Sequence, residues 1–151
     1  MQMKVASLPS SRIAYIRRIG PYGPANAQAM EQLKKWAEER NLLTESAVLL
    51  GIPQDRPDTT PPDNCRYDAC IVIAKDYPID DSILESEFIG GEYAVCTVKH
   101  TAEDIQRAWA EILPAIHRSD YRMDNKPIIE KYTGAMLKQD LCEICIPIRP
   151  L

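Results

Sequence analysis

Cys65-Arg66-Tyr67-Asp68-Ala69-Cys70-Ile71-Val72-Ile73 decides the fold, because it returns in altered form near the other end of the chain as Leu141-Cys142-Glu143-Ile144-Cys145-Ile146-Pro147-Ile148. At an offset of 75 residues, Asp68, Cys70, Ile71 and Ile73 fall on Glu143, Cys145, Ile146 and Ile148. Both are nearly continuous apolar runs of strand length. Working outward, Arg12 to Ile19 alternates with β-favouring residues and reads as a strand. At an offset of 80, Ala14 and Ile16 fall on Ala94 and Cys96, within a second strand, Glu92 to Val98, opened by Gly90-Gly91.

Each lead strand is followed by an amphipathic helix. From Ala25 to Arg40 the residues Met30, Leu33, Trp36 and Ala37 recur at helical spacing, with Pro24 in the first turn and Asn41 as a stop. The second helix runs through Ile105, Trp109, Ile112 and Ile116, with Thr101 as N-cap and Asp104 completing a variant of the capping box. Further strands are expected at Ala47 to Ile52 and Pro127 to Tyr132, and the Pro/Asp/Thr-rich segment Pro53 to Asn64 reads as a loop. The order strand–helix–strand–strand therefore occurs twice, in half-repeats of about 5–76 and 84–150 within one domain spanning 1–151. The expected fold is α+β: an antiparallel sheet with two helices on one side and a central ligand groove on a pseudo-twofold axis.

Strand alternation assigns faces. Tyr67, Ala69, Ile71 and Ile73 belong under the helices, with Ile144, Ile146 and Ile148 as counterparts. Asp68, Cys70, Glu143 and Cys145 take the other face, and Ile13, Tyr15, Tyr93 and Val95 also point away from the helices. Glu130 and Tyr132 share one face of their strand. Bringing two such units together creates a groove with aromatic walls and two or three carboxylates.

The 151 residues, 45% hydrophobic and 26% charged, suit an ordinary globular domain able to bury a full core. Net charge is −4 and the basic residues are scattered, which argues against direct nucleic-acid binding. No apolar run approaches the roughly 20 residues that cross a bilayer, and no signal peptide is visible. Five cysteines in apolar strand patterns read as reduced thiols of a cytoplasmic protein. Cys142-Glu143-Ile144-Cys145 is a C-x-x-C, but positions i and i+3 of a strand face opposite ways, so no metal or redox site is expected there, and no cofactor elsewhere. His100 reads as a surface residue and His117 as a favourable charge at a helix C-terminus. Trp36 reads as core.

Gly20-Pro21-Tyr22, Gly51-Ile52-Pro53, Cys65-Arg66-Tyr67-Asp68-Ala69, Gly90-Gly91-Glu92-Tyr93-Ala94-Val95, Trp109, Pro127-Ile128-Ile129-Glu130-Lys131-Tyr132 and the closing Glu143-Ile144-Cys145-Ile146-Pro147-Ile148 together resemble the GyrI-like small-molecule-binding domain family. The resemblance covers about Val5 to Pro150. It implies a duplicated strand–helix–strand–strand unit around a groove, in which a glutamate matching Glu130 meets lipophilic cations between aromatic rings. A carboxylate in such a groove is costly unless paired. An organic cation supplies the pairing, and each aromatic face adds about 0.5–2 kcal/mol of cation–π attraction.

The candidate ligand-binding residues are Glu130 and Tyr132, the rings of Tyr15, Tyr93 and Trp109, Tyr22 closing one end, and Asp68 and Glu143 as further acids. Trp109 also suits a core position. The expected function is non-enzymatic binding of hydrophobic, cationic small molecules, for sensing or sequestration. Two alternatives come with the resemblance. One is hydrolysis of electrophilic cyclopropane-type toxins by a Glu130 base with Tyr132 or Tyr93 as donor. The other is inhibition of DNA gyrase. Family regulators carry a DNA-binding domain ahead of the effector domain. This chain starts almost at its first strand and is expected to stand alone, as a homodimer or with a separate DNA-binding or gyrase partner.

Overall fold

The computed structural model describes residues 3–151. Its first half contains β1 (Met3–Leu8), β2 (Ser11–Ile19), α1 (Ala25–Glu39), β3 (Val48–Pro53) and β4 (Arg66–Ile73). The second contains β5 (Leu84–Phe88), β6 (Gly91–Lys99), α2 (Ala102–His117), β7 (Tyr121–Met123), β8 (Ile129–Thr133), α3 (Gly134–Lys138) and β9 (Leu141–Pro150). Every strand pairing is antiparallel. From edge to edge the order is β1-β6-β9-β8-β3-β4-β2-β5, with β7 added beside the end of β9.

That order is palindromic: exchanging β1, β6, β9 and β8 for β5, β2, β4 and β3 reproduces it. The register obeys the same exchange. Tyr15 faces Cys70 as Val95 faces Cys145, and Gly51 faces Ala69 as Glu130 faces Ile144. Gly51 and Glu130 are thus equivalent positions, and they are also partners of each other across β3 and β8. The pseudo-twofold axis passes between them.

The helices form where the apolar spacing places them. Ala29, Met30, Leu33, Trp36 and Ala37 are the buried stripe of α1, and Ala108, Ile112 and Ile116 that of α2. Thr101 caps α2 by accepting the Asp104 N–H at 3.1 Å. Asn41, at φ 58°, turns the chain away after α1. Both helices lie on one side of the sheet. Leu33, Leu49, Ala69 and Ile71 make the core under α1, and Ala94, Ile112, Ile144 and Ile146 the core under α2. Trp36 is core, with its indole N–H donated to Ser82 Oγ at 3.0 Å. All five cysteines are free and buried, and Cys142 and Cys145 enter cores on opposite faces.

Alternation did not reveal the two edge strands. Each half sends its leading strand to the other half's sheet: β1 pairs with β6, and β5 with β2. The two connections cross near the axis. Gly90 donates its N–H to Ser10 Oγ at 2.9 Å, and a Cβ at Gly90 would run into the carbonyl oxygen of Leu8 and the Pro9–Ser10 peptide. Backbone rather than a flexible side chain occupies the space. Gly90→Ala should therefore destabilise the protein by about 1–3 kcal/mol, the usual cost of overpacking. Urea unfolding measures this, and an unmoved midpoint would refute contact at the crossing.

Candidate functional site

The residue on the axis is an acid. Glu130 is half-buried on β8, on the helix side of the sheet, because its partner Gly51 shares the helix-facing side of β3 with Leu49. Its carboxylate accepts a hydrogen bond from Tyr132 Oη at 2.6 Å. Among the described residues no Lys, Arg or His nitrogen lies within 4.0 Å of it. Tyr132 in turn lies 3.3 Å from His100 Nε2, with the two rings edge-to-face at 5.2 Å. Since the phenol proton is donated to Glu130, His100 must donate Nε2–H to the phenol oxygen. The result is a hydrogen-bonded line from an exposed imidazole to a half-buried carboxylate.

A cavity of about 300 Å³ opens over this line, walled by Met30 of α1, Leu137 of α3, Tyr67 and Tyr132, with Lys34 and Glu31 on its α1 side. Lys34 is held by Glu31 at 3.0 Å. The absent side chain of Gly51 matters here: a Cβ would lie 2.5 Å from Tyr67 Oη. Glycine lets the Tyr67 phenol reach the axis beside Glu130. Burial, then the nearby Glu130 charge, raises the Tyr67 phenol well above its ordinary pKa, and the same causes plus the hydrogen bond raise Tyr132 further. Burial, reinforced by Glu130, pushes the Cys142 thiol up to about 12. All three groups are kept neutral around a single carboxylate.

The structure divides the residues expected from sequence. Glu130 and Tyr132 meet in the cavity. Tyr15, Tyr93 and Asp68 lie on the opposite face of the sheet, away from Glu130, around a separate cavity beside the apolar core of Ile13, Leu50, Cys70, Val95, Ile129 and Cys145. Glu143 is also on that face, 3.6 Å from Lys131. Trp109 is half-buried against the core under α2. Tyr22 pins the 53–66 loop, donating to the Arg66 carbonyl at 2.8 Å and accepting the Asp55 N–H at 3.1 Å. The separation arises from the β3–β8 register, which neither strand encodes alone: it puts Glu130 on the helix side. Tyr67, Gly51 and His100 are the additions. Tyr67 was legible as helix-facing; that a cavity lies beneath the helices there was not.

The duplicated antiparallel sheet carries a central cavity walled by α1 and α3, of a size to take a small molecule. The chain belongs to the GyrI-like family: the profile of the GyrI-like small molecule binding domain matches residues 1–149. YosT of Bacillus subtilis (strain 168), an SPbeta prophage-derived protein named among transcriptional regulators, is 39% identical over 99% of this chain and 100% of its own. A DNA gyrase inhibitor of Citrobacter rodentium (strain ICC168) is 25% identical over 100% of this chain and 99% of its own. Among solved structures, the EcmrR C-terminal domain superposes with a TM-score of 0.73 at 15% identity, covering 99% of this chain and 98% of that one. SAV2435 bound to tetraphenylphosphonium superposes with a TM-score of 0.56 at 15% identity, covering 99% and 94%. No helix among the described residues is long and apolar enough to cross a membrane.

The raised phenols predict alkaline sensitivity. Above the ordinary tyrosine pKa of about 10 the unfolded chain releases these protons while the folded chain holds them, so stability falls as pH rises. Tyr132→Phe should flatten that fall. Urea midpoints between pH 8 and 11 check this, and equal slopes for wild type and variant would contradict it.

Proposed function

We infer that the cavity over Glu130 binds hydrophobic, cationic small molecules. The observation that carries this is a half-buried carboxylate beside two tyrosine rings, with no Lys, Arg or His nitrogen within 4.0 Å of it among the described residues. A charge withdrawn from water needs a partner, and here the space beside it is open. A delocalised cation fits because it loses little on leaving water and gains from the faces of Tyr67 and Tyr132. Tetraphenylphosphonium bound to the structural neighbour SAV2435 is a cation of this class. The whole-length likeness to YosT supports a sensing role, the ligand altering a surface that a second protein reads.

A hydrolytic reading draws on one specific observation, the 2.6 Å hydrogen bond between Tyr132 and Glu130. Glu130 could take a proton from water while a phenol polarises the leaving atom. A gyrase-directed role rests on the names of relatives such as the Citrobacter rodentium protein, and capture of purified gyrase tests it.

Calorimetric titration with tetraphenylphosphonium separates these. Wild type should bind it, and Glu130→Gln should bind roughly ten- to a hundredfold more weakly, the loss of about 1.4–2.8 kcal/mol of Coulomb attraction between unlike charges at a half-buried site. Equal binding by both proteins would sink the cation-receptor proposal. Turnover of a strained cyclopropane electrophile that vanishes in Glu130→Gln would favour the hydrolase instead.

A further inference from the structure

On the face of the sheet away from the helices lies a second cavity of about 300 Å³. Its floor is Ile13, Ile52 and Ile129, and its walls carry the rings of Tyr15, Phe88 and Tyr93. It does not share a lining residue with the Glu130 cavity. This volume lies at the lower end of small-molecule sites and is enough for a ring-bearing molecule.

Two polar groups facing this space have unused hydrogen bonds. The first is Arg17. Asp68, only 3% exposed, holds its guanidinium in a fork, accepting from Nε at 2.7 Å and Nη2 at 2.9 Å. Gln54 donates to the same carboxylate at 3.1 Å. Asp68 is therefore fully engaged, and its hydrogen bonds raise the pKa of Arg17 above the ordinary arginine value. The fork uses only one edge of the guanidinium. Nη1 has no hydrogen-bond partner among the described residues. Tyr15 lies alongside, its ring centroid 5.5 Å from the Arg17 carbon.

The second is Tyr93, which is 1% exposed. Its hydroxyl has no hydrogen-bond partner among the described residues, yet no described side-chain oxygen is both unbonded and sealed from solvent. The hydroxyl therefore keeps some contact with solvent, and Tyr93 lines this cavity. Burial pushes this phenol up to about 12, so it remains a donor at neutral pH. Lys126 stands at the rim without an acidic partner among the described residues, and Glu87, also at the rim, is its counterweight in charge. The cavity thus offers N–H and O–H donors at the end of an aromatic slot. Its only buried acid is turned to Arg17.

We propose that this cavity is a second ligand site, of opposite polarity to the first, that takes a small aromatic carboxylate: the ring lies between Tyr15, Phe88 and Tyr93, and the carboxylate accepts from the free edge of Arg17 and from Tyr93 Oη. Planar, forked donation from a guanidinium matches a carboxylate better than it matches a neutral amide. A carboxylate at the rim also gains from Lys126.

The probe is 2-naphthoate, with 2-naphthamide as its uncharged counterpart, followed by calorimetry and by ligand-induced NMR shifts. Wild type should bind 2-naphthoate at one site, and bind 2-naphthamide at least tenfold more weakly. Arg17→Ala would strand Asp68 and risk unfolding. Arg17→Lys keeps the ion pair but loses the fork, and should weaken naphthoate about tenfold; Tyr93→Phe removes one donor and should weaken it about three- to tenfold. Shifts should appear at Ser86 to Ile89 and Ile129 and spare Met30, Tyr132 and Leu137 of the Glu130 cavity. No binding at millimolar probe, equal affinity for acid and amide, or unchanged affinity in both variants would overturn the proposal. So would displacement of naphthoate by tetraphenylphosphonium with shifts moving to Tyr132, which places the probe in the Glu130 cavity. Because tetraphenylphosphonium is titrated separately, failure at one site leaves the other independently tested.

Discussion

Glu130 faces Gly51 across the two central strands, and these two positions are each other's symmetry equivalents. A duplicated sheet has one place where a residue meets its own counterpart, and here that place is asymmetric. One half supplies a carboxylate and the other supplies no side chain at all. Two acids at that point would repel each other at close range; two glycines would leave the cavity floor without charge. The emptiness at Gly51 admits the Tyr67 phenol, and the Tyr132 phenol comes from the same strand as the acid. The chemistry of the cavity follows from breaking the twofold at its axis.

The cost of that charge is spread over neighbours that stay neutral. Tyr67, Tyr132 and Cys142 all have their ionisation pushed upward by burial, with Glu130 adding to it. A second ionised group there would face both low dielectric and like charge. Asp68, the buried acid of the opposite face, is handled differently. Asp68 is matched by Arg17 and Gln54 within the protein, so it asks nothing of a ligand and instead fixes a guanidinium in place. One sheet therefore presents an anion without an ion-pair partner among the described residues on one face and an anchored cation on the other.

Much of this architecture was legible in the sequence. Period-2 runs such as Tyr67 to Ile73 and the 3.6-period stripe of Met30, Leu33 and Trp36 identify strands, helices and the repeat, because they report burial on one face of a local element. The edge strands β1 and β5 were not legible: they are short, mostly exposed, and gain their identity only by pairing with the distant half. The same limit applied to the site. Glu130 and Tyr132 share a strand, so alternation joined them. Tyr15, Tyr93 and Asp68 could be assigned to Glu130's company only through the β3–β8 register, a non-local quantity, and the register puts them on the other face. His100 carried no sequence signal beyond being a polar residue before a cap; its contact with Tyr132 joins β6's end to β8 across β9.

The crossing of the two connections at Ser10 and Gly90 has a mechanical meaning. Each half lends a strand to the other, so neither half completes its own sheet. A chain cut between β4 and β5 would give two pieces, each lacking an edge that the other carries. In form the protein is a strand-exchanged pair spliced into one polypeptide, and the splice removes the concentration dependence that such a pair would have. The halves are clasped rather than merely abutted. Pulling one open exposes the edge of the other, which ties the integrity of the axial cavity to both ends of the sheet at once.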